Sequence, residues 1–281
     1  MIPRIRAALK RIVKPDTLVH KVAERVQHGL WRYAPRYFDW KPNLSSVDLD
    51  ITTRCNLTCP NCSRSVGVAP ADESLSLEQL DRFFHQSRTL GWRWRSIKLV
   101  GGEPTLHPQF GEILEFLATH HQANPACEVR LVTNGHGRRV RETLSSLPSW
   151  VTVKDSDKQS NDHAFHSYNV APIDVPKYQR ADFRRGCFVT EYCGVALTKN
   201  GIYGCSPGAA VDRVFGFDVG LKSLDELSEG TARQQFATLC RLCGHFKYNY
   251  GGAPVTSQQT STSWREALER YKKARPVLTT Y

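Results

Sequence analysis

The chain has 281 residues, of which 40% are hydrophobic and 23% charged, as in an ordinary folded globular protein. It contains no run of about 18 apolar residues, and its N-terminus lacks the apolar segment of a secretory signal. We therefore expect a cytoplasmic protein without a transmembrane helix; the Arg-rich N-terminus leaves an organellar transit peptide as the alternative. Nine cysteines in such a compartment favour metal or cluster ligation over disulfides.

Positive charge is concentrated at the N-terminus. Residues 1–45 carry 10 Lys+Arg and 3 Asp+Glu, so +7 of the formal net charge of +11 lies there. Apolar residues recur at spacings of three and four over residues 1–31, which predicts helix. This basic helical arm either presents a solvated face or meets an acidic partner, such as a phosphorylated substrate, a nucleic acid, a carrier protein or an anionic membrane surface.

The next part of the chain alternates strands with helices. Strands are predicted at 46–52, 96–100, 127–133 and 150–154. Helices are predicted from Ser76, with a capping box to Gln79, to about Leu90, and over 109–121 and 137–147. This alternation implies a parallel sheet with ligands at the carboxyl ends of its strands. Only one further strand, at 167–175, fits before the pattern changes, so a complete eight-stranded barrel is excluded.

The C-terminal third has a different pattern. Residues 195–204 predict a β-hairpin with Asn200-Gly201 in a type I′ turn. Ser223 and Glu226 predict a second capping box, opening a helix that ends near residues 239–244. Residues 256–263 are typical of a flexible linker, and residues 262–274 predict a closing helix.

Cys55, Cys59 and Cys62 form a C-x3-C-x2-C loop directly after the first predicted strand. A closed structural zinc site needs four protein ligands. No fourth Cys or His lies nearby, since His85 falls inside the first predicted helix. Three thiolates suit a four-iron cluster whose fourth iron is open to another ligand.

This loop resembles the signature of the radical S-adenosylmethionine (radical SAM) superfamily. Residues 99–104, LVGGEP, resemble the family's Gly-Gly-Glu-Pro loop, and residues 131–135, LVTNG, are typical of its third strand end. The resemblance covers residues 46–157. It implies that the three thiolates hold a [4Fe-4S] cluster, that the open iron binds SAM, and that reduction yields a 5′-deoxyadenosyl radical that abstracts a hydrogen atom from substrate. It also implies an electron donor such as flavodoxin or ferredoxin.

The resemblance implies a set of SAM contacts as well. The methionine end would meet Gly101, Gly102, Glu103 and Pro104, and the ribose and carboxylate would meet Asn134, Asp155 and Ser156. Asn134 is equally consistent with a turn residue before Gly135. Asn61 stands before the last cysteine of the loop, where the family usually has an aromatic residue that seats adenine. Adenine would then be held in another way, for example through hydrogen bonds.

A second group of cysteines lies in the last third of the chain: Cys187, Cys193, Cys205, Cys240 and Cys243. This layout resembles the auxiliary-cluster domain of radical SAM dehydrogenases, the Twitch form of the longer SPASM domain, and implies one auxiliary [4Fe-4S] cluster. Four ligands would close it and leave either Cys187 or Cys193 over, as a hydrogen donor or acid near the substrate or as an inert buried thiol. Structural zinc held by four cysteines is the alternative, because the ligand count alone does not separate it from an iron–sulfur cluster. Cys127, in a predicted strand, is interpreted as a core residue.

We therefore predict an α/β protein with four parts. These are a basic helical arm (1–45), a partial radical SAM β/α barrel (46–180), a small hairpin-plus-helix auxiliary-cluster domain (181–250), and a linker with a C-terminal helix (251–281).

The expected reaction is a two-electron oxidation of a small polyol, sugar or aminocyclitol. Such a reaction needs a base for the hydroxyl proton. The candidate bases are His163, His166, Tyr168, Lys154 and Arg185. Peptide modification by a maturase is the alternative, although the N-terminal arm is too short for a peptide-recognition module. From another class, a zinc-stabilised basic protein would bind nucleic acid with a steep salt dependence.

Overall fold

The computed structural model describes residues 39–246 and 254–281, so the helix predicted over 1–31 lies outside the described residues. The strands are β1 (Ser46–Thr52), β2 (Ser96–Gly101), β3 (Glu128–Thr133), β4 (Val151–Asp155), β5 (Val195–Thr198) and β6 (Gly201–Tyr203). The helices are α1 (Leu77–Thr89), α2 (Phe110–Ala123), α3 (Arg138–Ser145), α4 (Phe188–Tyr192), α5 (Ser206–Phe215), α6 (Glu229–Leu239) and α7 (Thr262–Lys273). In this described part, no helix is both long and apolar enough to span a bilayer.

The six strands form one sheet in the order β4-β3-β2-β1-β5-β6. Neighbours among β1 to β4 are parallel, as the alternating pattern predicts. The hairpin continues this sheet, because β5 pairs in parallel with β1 and only β6 runs antiparallel. The α/β class is confirmed, with the sheet open between its edge strands β4 and β6.

Alternation along β1 separates an apolar face from a charged one. Val47, Leu49 and Ile51 are fully buried in the core formed with α1 and α2. Because successive side chains of a strand point to opposite faces, Asp48 and Asp50 project to the other side of the sheet. The same strand thus contributes apolar side chains to the main core and acidic side chains to the opposite face of the sheet.

Helix α5 was not predicted, and it fills the second face of the sheet. It follows Cys205, which is its N-cap residue, and its first turn contains Pro207. It ends at Gly216 with φ +77°, a left-handed C-cap. Its apolar residues pack with the buried Trp264 of α7 in a second core. Pro207 in the first turn and Gly216 after the last are start and stop signals that the sequence contains.

Two local predictions are wrong. Residues 167–175 do not form a strand; 3₁₀ turns at Pro172–Asp174 and Pro176–Tyr178 replace it, because proline offers no N–H to a strand ladder. The hairpin turn is not type I′ at Asn200-Gly201. Thr198 pairs with Gly201, which leaves Lys199 and Asn200 as the loop, and neither has the positive φ that type I′ requires.

The helix predicted from Ser223 begins five residues later. Ser223 starts only the 3₁₀ turn Leu224–Glu226 and makes no side-chain cap. Helix α6 starts after Ser228, whose hydroxyl accepts a hydrogen bond from the Thr231 N–H while the Thr231 hydroxyl accepts one from the Ser228 N–H. Thr231 therefore takes the place that Glu or Gln usually has in a capping box.

We expect Ser228→Ala to lower the free energy of unfolding by about 1 kcal/mol, because an N-terminal N–H of α6 loses its acceptor. Ser228→Asp is the matched control, since a carboxylate also accepts this bond, and it should retain the wild-type value. Denaturant unfolding of the three proteins measures the difference. Equal stability of the Ala and Asp variants would show that Ser228 does not cap α6.

Candidate functional site

The three-cysteine loop leaves β1 at the carboxyl edge of the sheet. Cys59 is buried, and Cys55 and Cys62 are partly buried; all three are free thiols. Burial, and then the proximity of Cys62, Glu103 and Cys59, raises the pKa of Cys55 to about 11. Thiols in such surroundings ionise readily only beside a positive charge, which a metal cluster supplies. The loop thus fits a group that binds thiolate.

Burial also raises the pKa of Cys59. Within the described ranges, no three His, Cys, Asp or Glu side chains converge on a site for one metal ion. The thiolates of a [4Fe-4S] cluster bind separate irons, so they do not need to meet at a single point.

The Gly-Gly-Glu-Pro loop lies directly against the start of the cysteine loop. The Gly102 N–H donates to the Thr52 carbonyl at 2.8 Å, and the Glu103 N–H donates to the Arg54 carbonyl at 2.7 Å. A Cβ on Gly101 would lie 2.4 Å from the Thr52 oxygen, and one on Gly102 would lie 2.3 Å from the Arg54 oxygen. Both glycines are required by this close backbone approach.

The carboxylate of Glu103 is completely buried and ties two strand ends together. It accepts hydrogen bonds from the N–H and hydroxyl of Thr105, at 3.2 and 2.8 Å. It also accepts from the Thr133 hydroxyl, at 3.0 and 2.9 Å to its two oxygens, and from the Asn134 N–H at 2.8 Å. Glu103 therefore fixes the end of β3 relative to the loop after β2.

Asn134 connects that network to the cysteine loop. Its side-chain N–H group lies 3.7 Å from the Cys55 sulfur and donates to the Asn56 side chain at 2.9 Å. Its side-chain oxygen accepts from the His136 N–H at 2.7 Å, which is the contact of a turn residue. The side chain thus holds the turn after β3 and touches a candidate cluster ligand at the same time.

Asp155 and Ser156 lie beside this turn at the end of β4, and both are exposed. The Ser156 hydroxyl donates to the Thr133 carbonyl at 2.9 Å. Gly135, at φ +68°, passes so close to Asp155 that a Cβ would lie 2.3 Å from its carboxylate. The exposed Asp155 carboxylate is available to a ligand at the strand ends.

Asn61 is buried and binds a distant segment, residues 255–261, which we call the strap. Its side-chain N–H group donates to the Ser257 carbonyl at 2.8 Å, and its oxygen accepts from the Gln259 N–H at 3.0 Å. The Asn61 N–H donates to the side chain of Gln258 at 2.8 Å, and Gln258 donates to Asn169 at 3.1 Å. The strap overlaps the segment expected to be a flexible linker, yet it is docked on the cysteine loop.

The face of the sheet opposite the main core carries two partly buried ion pairs. We call the four residues that form them the charged chamber: Asp48, Asp50, Arg64 and Lys98. The Lys98 ammonium lies 2.9 Å from Asp48, and Arg64 lies 3.0 Å from Asp50. The Ser206 hydroxyl, adjacent in sequence to Cys205, also donates to Asp50 at 3.1 Å. Burial raises the pKa of Asp48, and the charge of Lys98 opposes that shift.

The second cysteine group surrounds one cavity. Four buried cysteines line it: Cys187, Cys205, Cys240 and Cys243. Burial raises the pKa of Cys187, Cys205 and Cys240 well above the usual range, and the neighbouring thiols add to this in each case. Four soft donors around one cavity fit a closed cluster, in which each thiolate binds a separate iron.

Cys193 is not among the residues that line that cavity, although it packs against the cluster formed by Cys187, Cys205 and Cys240. Its carbonyl accepts from the Lys98 ammonium at 2.6 Å, which places it beside the charged chamber. The pKa of its thiol is raised to about 11, chiefly by burial and then by Asp48, while Lys98, Arg64 and Lys154 oppose the shift.

The predicted bases lie in different surroundings. Tyr168 is fully buried, and its hydroxyl donates to the Pro207 carbonyl at 2.5 Å. His166 lies near His245, with ring centroids 6.3 Å apart, whereas His163 occupies the preceding loop. Lys154 is an exposed residue of β4, and Arg185 lies 3.6 Å from Asp182.

His245, which the sequence analysis missed, lines the four-cysteine cavity. Burial, and then His166 and Arg64, lowers its pKa to about 3. Asp48 and Asp50 were missed as well, although their alternation with apolar residues along β1 was a visible signal. The strap left no such signal, because its contacts with Asn61 join residues almost 200 positions apart.

Comparison with known proteins agrees with this geometry. Residues 49–153 match the family described as the radical SAM superfamily. A GTP 3′,8-cyclase of Nitrobacter winogradskyi is 33% identical over 94 residues, or 33% of this chain and 27% of the relative. The mycofactocin maturase MftC of Mycobacterium ulcerans is 29% identical over 119 residues, or 42% of this chain and 27% of the relative. Each match thus spans little more than a quarter of the relative's own length.

A solved structure, BtrN in complex with AdoMet and 2-DOIA, covers 78% of this chain and 96% of its own, at 14% identity and a TM-score of 0.44. That likeness supports no inference about substrate. The matched region contains the cysteine loop, the Gly-Gly-Glu-Pro loop and Asn134 at the edge of a parallel sheet. Residues 49–153 of this chain are thus a radical SAM superfamily domain. That family implies a [4Fe-4S] cluster and SAM as cofactors.

We expect Glu103→Gln to lower the free energy of unfolding by about 1–3 kcal/mol, because an amide N–H group would face the donors that the carboxylate now satisfies. The altered strand ends should also weaken SAM binding to the reconstituted protein. Thermal unfolding and equilibrium binding measure the two effects. Glu112→Gln, the same change at an exposed position of α2, is the control and should have neither effect.

Proposed function

We propose that this chain is a radical SAM oxidoreductase that removes two electrons from a small polyol, sugar or aminocyclitol with the help of an auxiliary [4Fe-4S] cluster. The observation that carries the proposal is the second cysteine group. A radical reaction that ends in net oxidation needs an acceptor for the electron left on the substrate. Four cysteines around one buried cavity supply the ligands of such an acceptor.

The two clusters would have separate ligand sets. Cys55, Cys59 and Cys62 would hold the first cluster and leave one iron for SAM, the source of the abstracting radical when bound. The second cluster would take the four cavity cysteines: Cys187, Cys205, Cys240 and Cys243. Cys193 would then be the thiol left over, and its position beside the charged chamber favours a role near the substrate over a role as a ligand.

The SAM contacts are proposed on the same basis. The backbone of Gly101 and Gly102, followed by Pro104, would border the methionine end. Glu103 would keep this backbone in position, since its carboxylate already accepts hydrogen bonds from Thr105 and Asn134. Asp155 and Ser156 lie at the neighbouring strand end and would meet the ribose and carboxylate.

Asn134 and Asn61 would act around these contacts. Asn134 orders the turn beside Cys55. Asn61 stands where the family usually has an aromatic residue, and its side chain is hydrogen-bonded to the strap. The adenine ring would therefore lie beside the strap and would not stack on residue 61.

The charged chamber is the proposed substrate site. Arg64 lies near thiols of both cysteine groups, since the charges that act on it include Cys62 and Cys193. The Oδ2 atom of Asp50 accepts hydrogen bonds both from Arg64 and from Ser206, the residue after Cys205. Such paired charges can bind a polyhydroxylated or amino-substituted molecule through hydrogen bonds.

Loss of the hydroxyl proton requires a base within reach of the chamber. His163 and His166 stay candidates from the sequence, and the structure adds Asp50, which borders a partly open pocket with Arg64 and Thr52. A carboxylate paired with Arg64 can accept a proton while the guanidinium orients the substrate oxygen. The electron donor would be a flavodoxin or ferredoxin, and an acidic partner is proposed for the basic arm.

We expect single Ala substitutions at the four cavity cysteines to lower the iron content of the anaerobically reconstituted protein from about eight to about four per chain. Cys193→Ala should keep about eight, because it is not a ligand. Cys127→Ala, at a core position of the main sheet, is the control and should also keep both clusters. Iron analysis with EPR measures this. A wild-type protein that binds stoichiometric zinc at the second group would contradict the auxiliary cluster.

The activity is tested with reduced, reconstituted protein, SAM, and a panel of cyclitols, aminocyclitols and sugars. The expected result is 5′-deoxyadenosine formed together with a ketone product, and deuterium moved from the oxidised carbon into 5′-deoxyadenosine. Asp50→Asn should lower product formation by about 10² or more while both clusters are retained. Turnover of a peptide with no turnover of any polyol would instead support the maturase alternative.

A further inference from the structure

We infer that His245 donates a hydrogen bond to a sulfur atom of the auxiliary cluster and raises the reduction potential of that cluster. The inference rests on the proposed function, since it requires a cluster at the four-cysteine cavity. It concerns a residue that holds no iron and belongs to neither cysteine motif.

The argument begins with an unpaired buried atom. His245 lines the same cavity as the four cysteines, and its Nδ1 is buried without a hydrogen-bond partner among the described residues. A buried polar group without a partner destabilises the fold, so native proteins seldom keep one without a reason. A bound group that accepts or donates at this point would remove that cost.

The other polar side chains of the cavity wall already have partners. Gln235 accepts from the Gly204 N–H at 2.7 Å and donates to the carbonyls of Ile202 and Val219. The Thr190 hydroxyl donates to the Cys187 carbonyl at 2.7 Å. The imidazole of His245 is therefore the side chain on this wall with hydrogen-bonding capacity to spare.

The ring position is fixed by its neighbours. Its centroid lies 5.4 Å from that of Tyr168, and the Tyr168 hydroxyl is anchored to Pro207 of the same wall. A neutral imidazole carries one N–H, which donates from whichever nitrogen is protonated. The acceptors that a [4Fe-4S] cluster would bring into this cavity are its sulfides and thiolates.

Such a bond has a predictable electrostatic effect. Reduction adds negative charge to the cluster, and an N–H directed at its sulfur stabilises that charge, so the potential rises. A higher potential makes the auxiliary cluster a better acceptor for the electron left on the substrate. His245 would thus be a positioning and tuning residue rather than a ligand.

The experiment is an EPR-monitored redox titration of the reconstituted holoenzyme and three variants. His245→Leu should shift the auxiliary midpoint potential to more negative values, and His245→Gln, which keeps a donor, should shift it less. Phe246→Leu alters the same cavity wall without touching a polar atom and should leave the potential unchanged. The radical SAM cluster should titrate identically in all four proteins.

A second measurement does not depend on the folding of a variant. In wild-type protein labelled with ¹⁵N-histidine, pulsed EPR of the reduced auxiliary cluster should detect one weakly coupled histidine nitrogen. A wild-type potential in His245→Leu, or no such coupling in the wild type, would overturn the inference. So would loss of auxiliary iron from both His245 variants while Phe246→Leu keeps it, because His245 would then be a ligand. A wild type with only about four irons would instead refute the auxiliary cluster itself.

Discussion

The buried carboxylate of Glu103 is the contact on which the arrangement of the strand ends depends. It accepts hydrogen bonds from Thr105, Thr133 and Asn134, and so fixes the end of β3 relative to the loop after β2. Asn134 in turn lies against Cys55. Burying a carboxylate is expensive unless its oxygens are satisfied, and here protein donors satisfy them. The cysteine loop is therefore positioned by a rigid polar network and not only by its own three thiols.

In the charged chamber, too, each charged side chain has a partner. Asp48 pairs with Lys98, and Asp50 pairs with Arg64, on the side of β1 that faces away from the main core. Buried ion pairs contribute little to stability, because desolvation offsets their attraction. Their position near both groups of cysteines is the reason for proposing them as the substrate site. Cys193 borders the charged chamber, which distinguishes it from the thiols that close the second cavity.

The strap connects the C-terminal part of the chain to the cysteine loop. Its backbone and glutamine side chains bind Asn61, the residue before the last cysteine of the loop. A segment near the C-terminus thereby borders the place where SAM would sit. Since α7 follows the strap and packs its Trp264 into the second core, the position of the strap is coupled to the packing of that core. This coupling links the C-terminal helix to the cysteine loop through hydrogen bonds rather than through apolar contact alone.

Local sequence patterns were enough to predict the parallel sheet, the helices between its strands, the three-cysteine loop and the glycines beside it. These features depend on local periodicity and on motifs within a few residues, as the confirmed capping box of Ser76 illustrates. The pairing of β5 with β1 and the docking of the strap on Asn61 are seen only in the folded chain. The physical reason is that these contacts join residues far apart in the chain, and spacing carries no information about such pairs. The helix start predicted at Ser223 was wrong because the helix is capped by Ser228, where Thr231 takes the place of the Glu or Gln typical of a capping box.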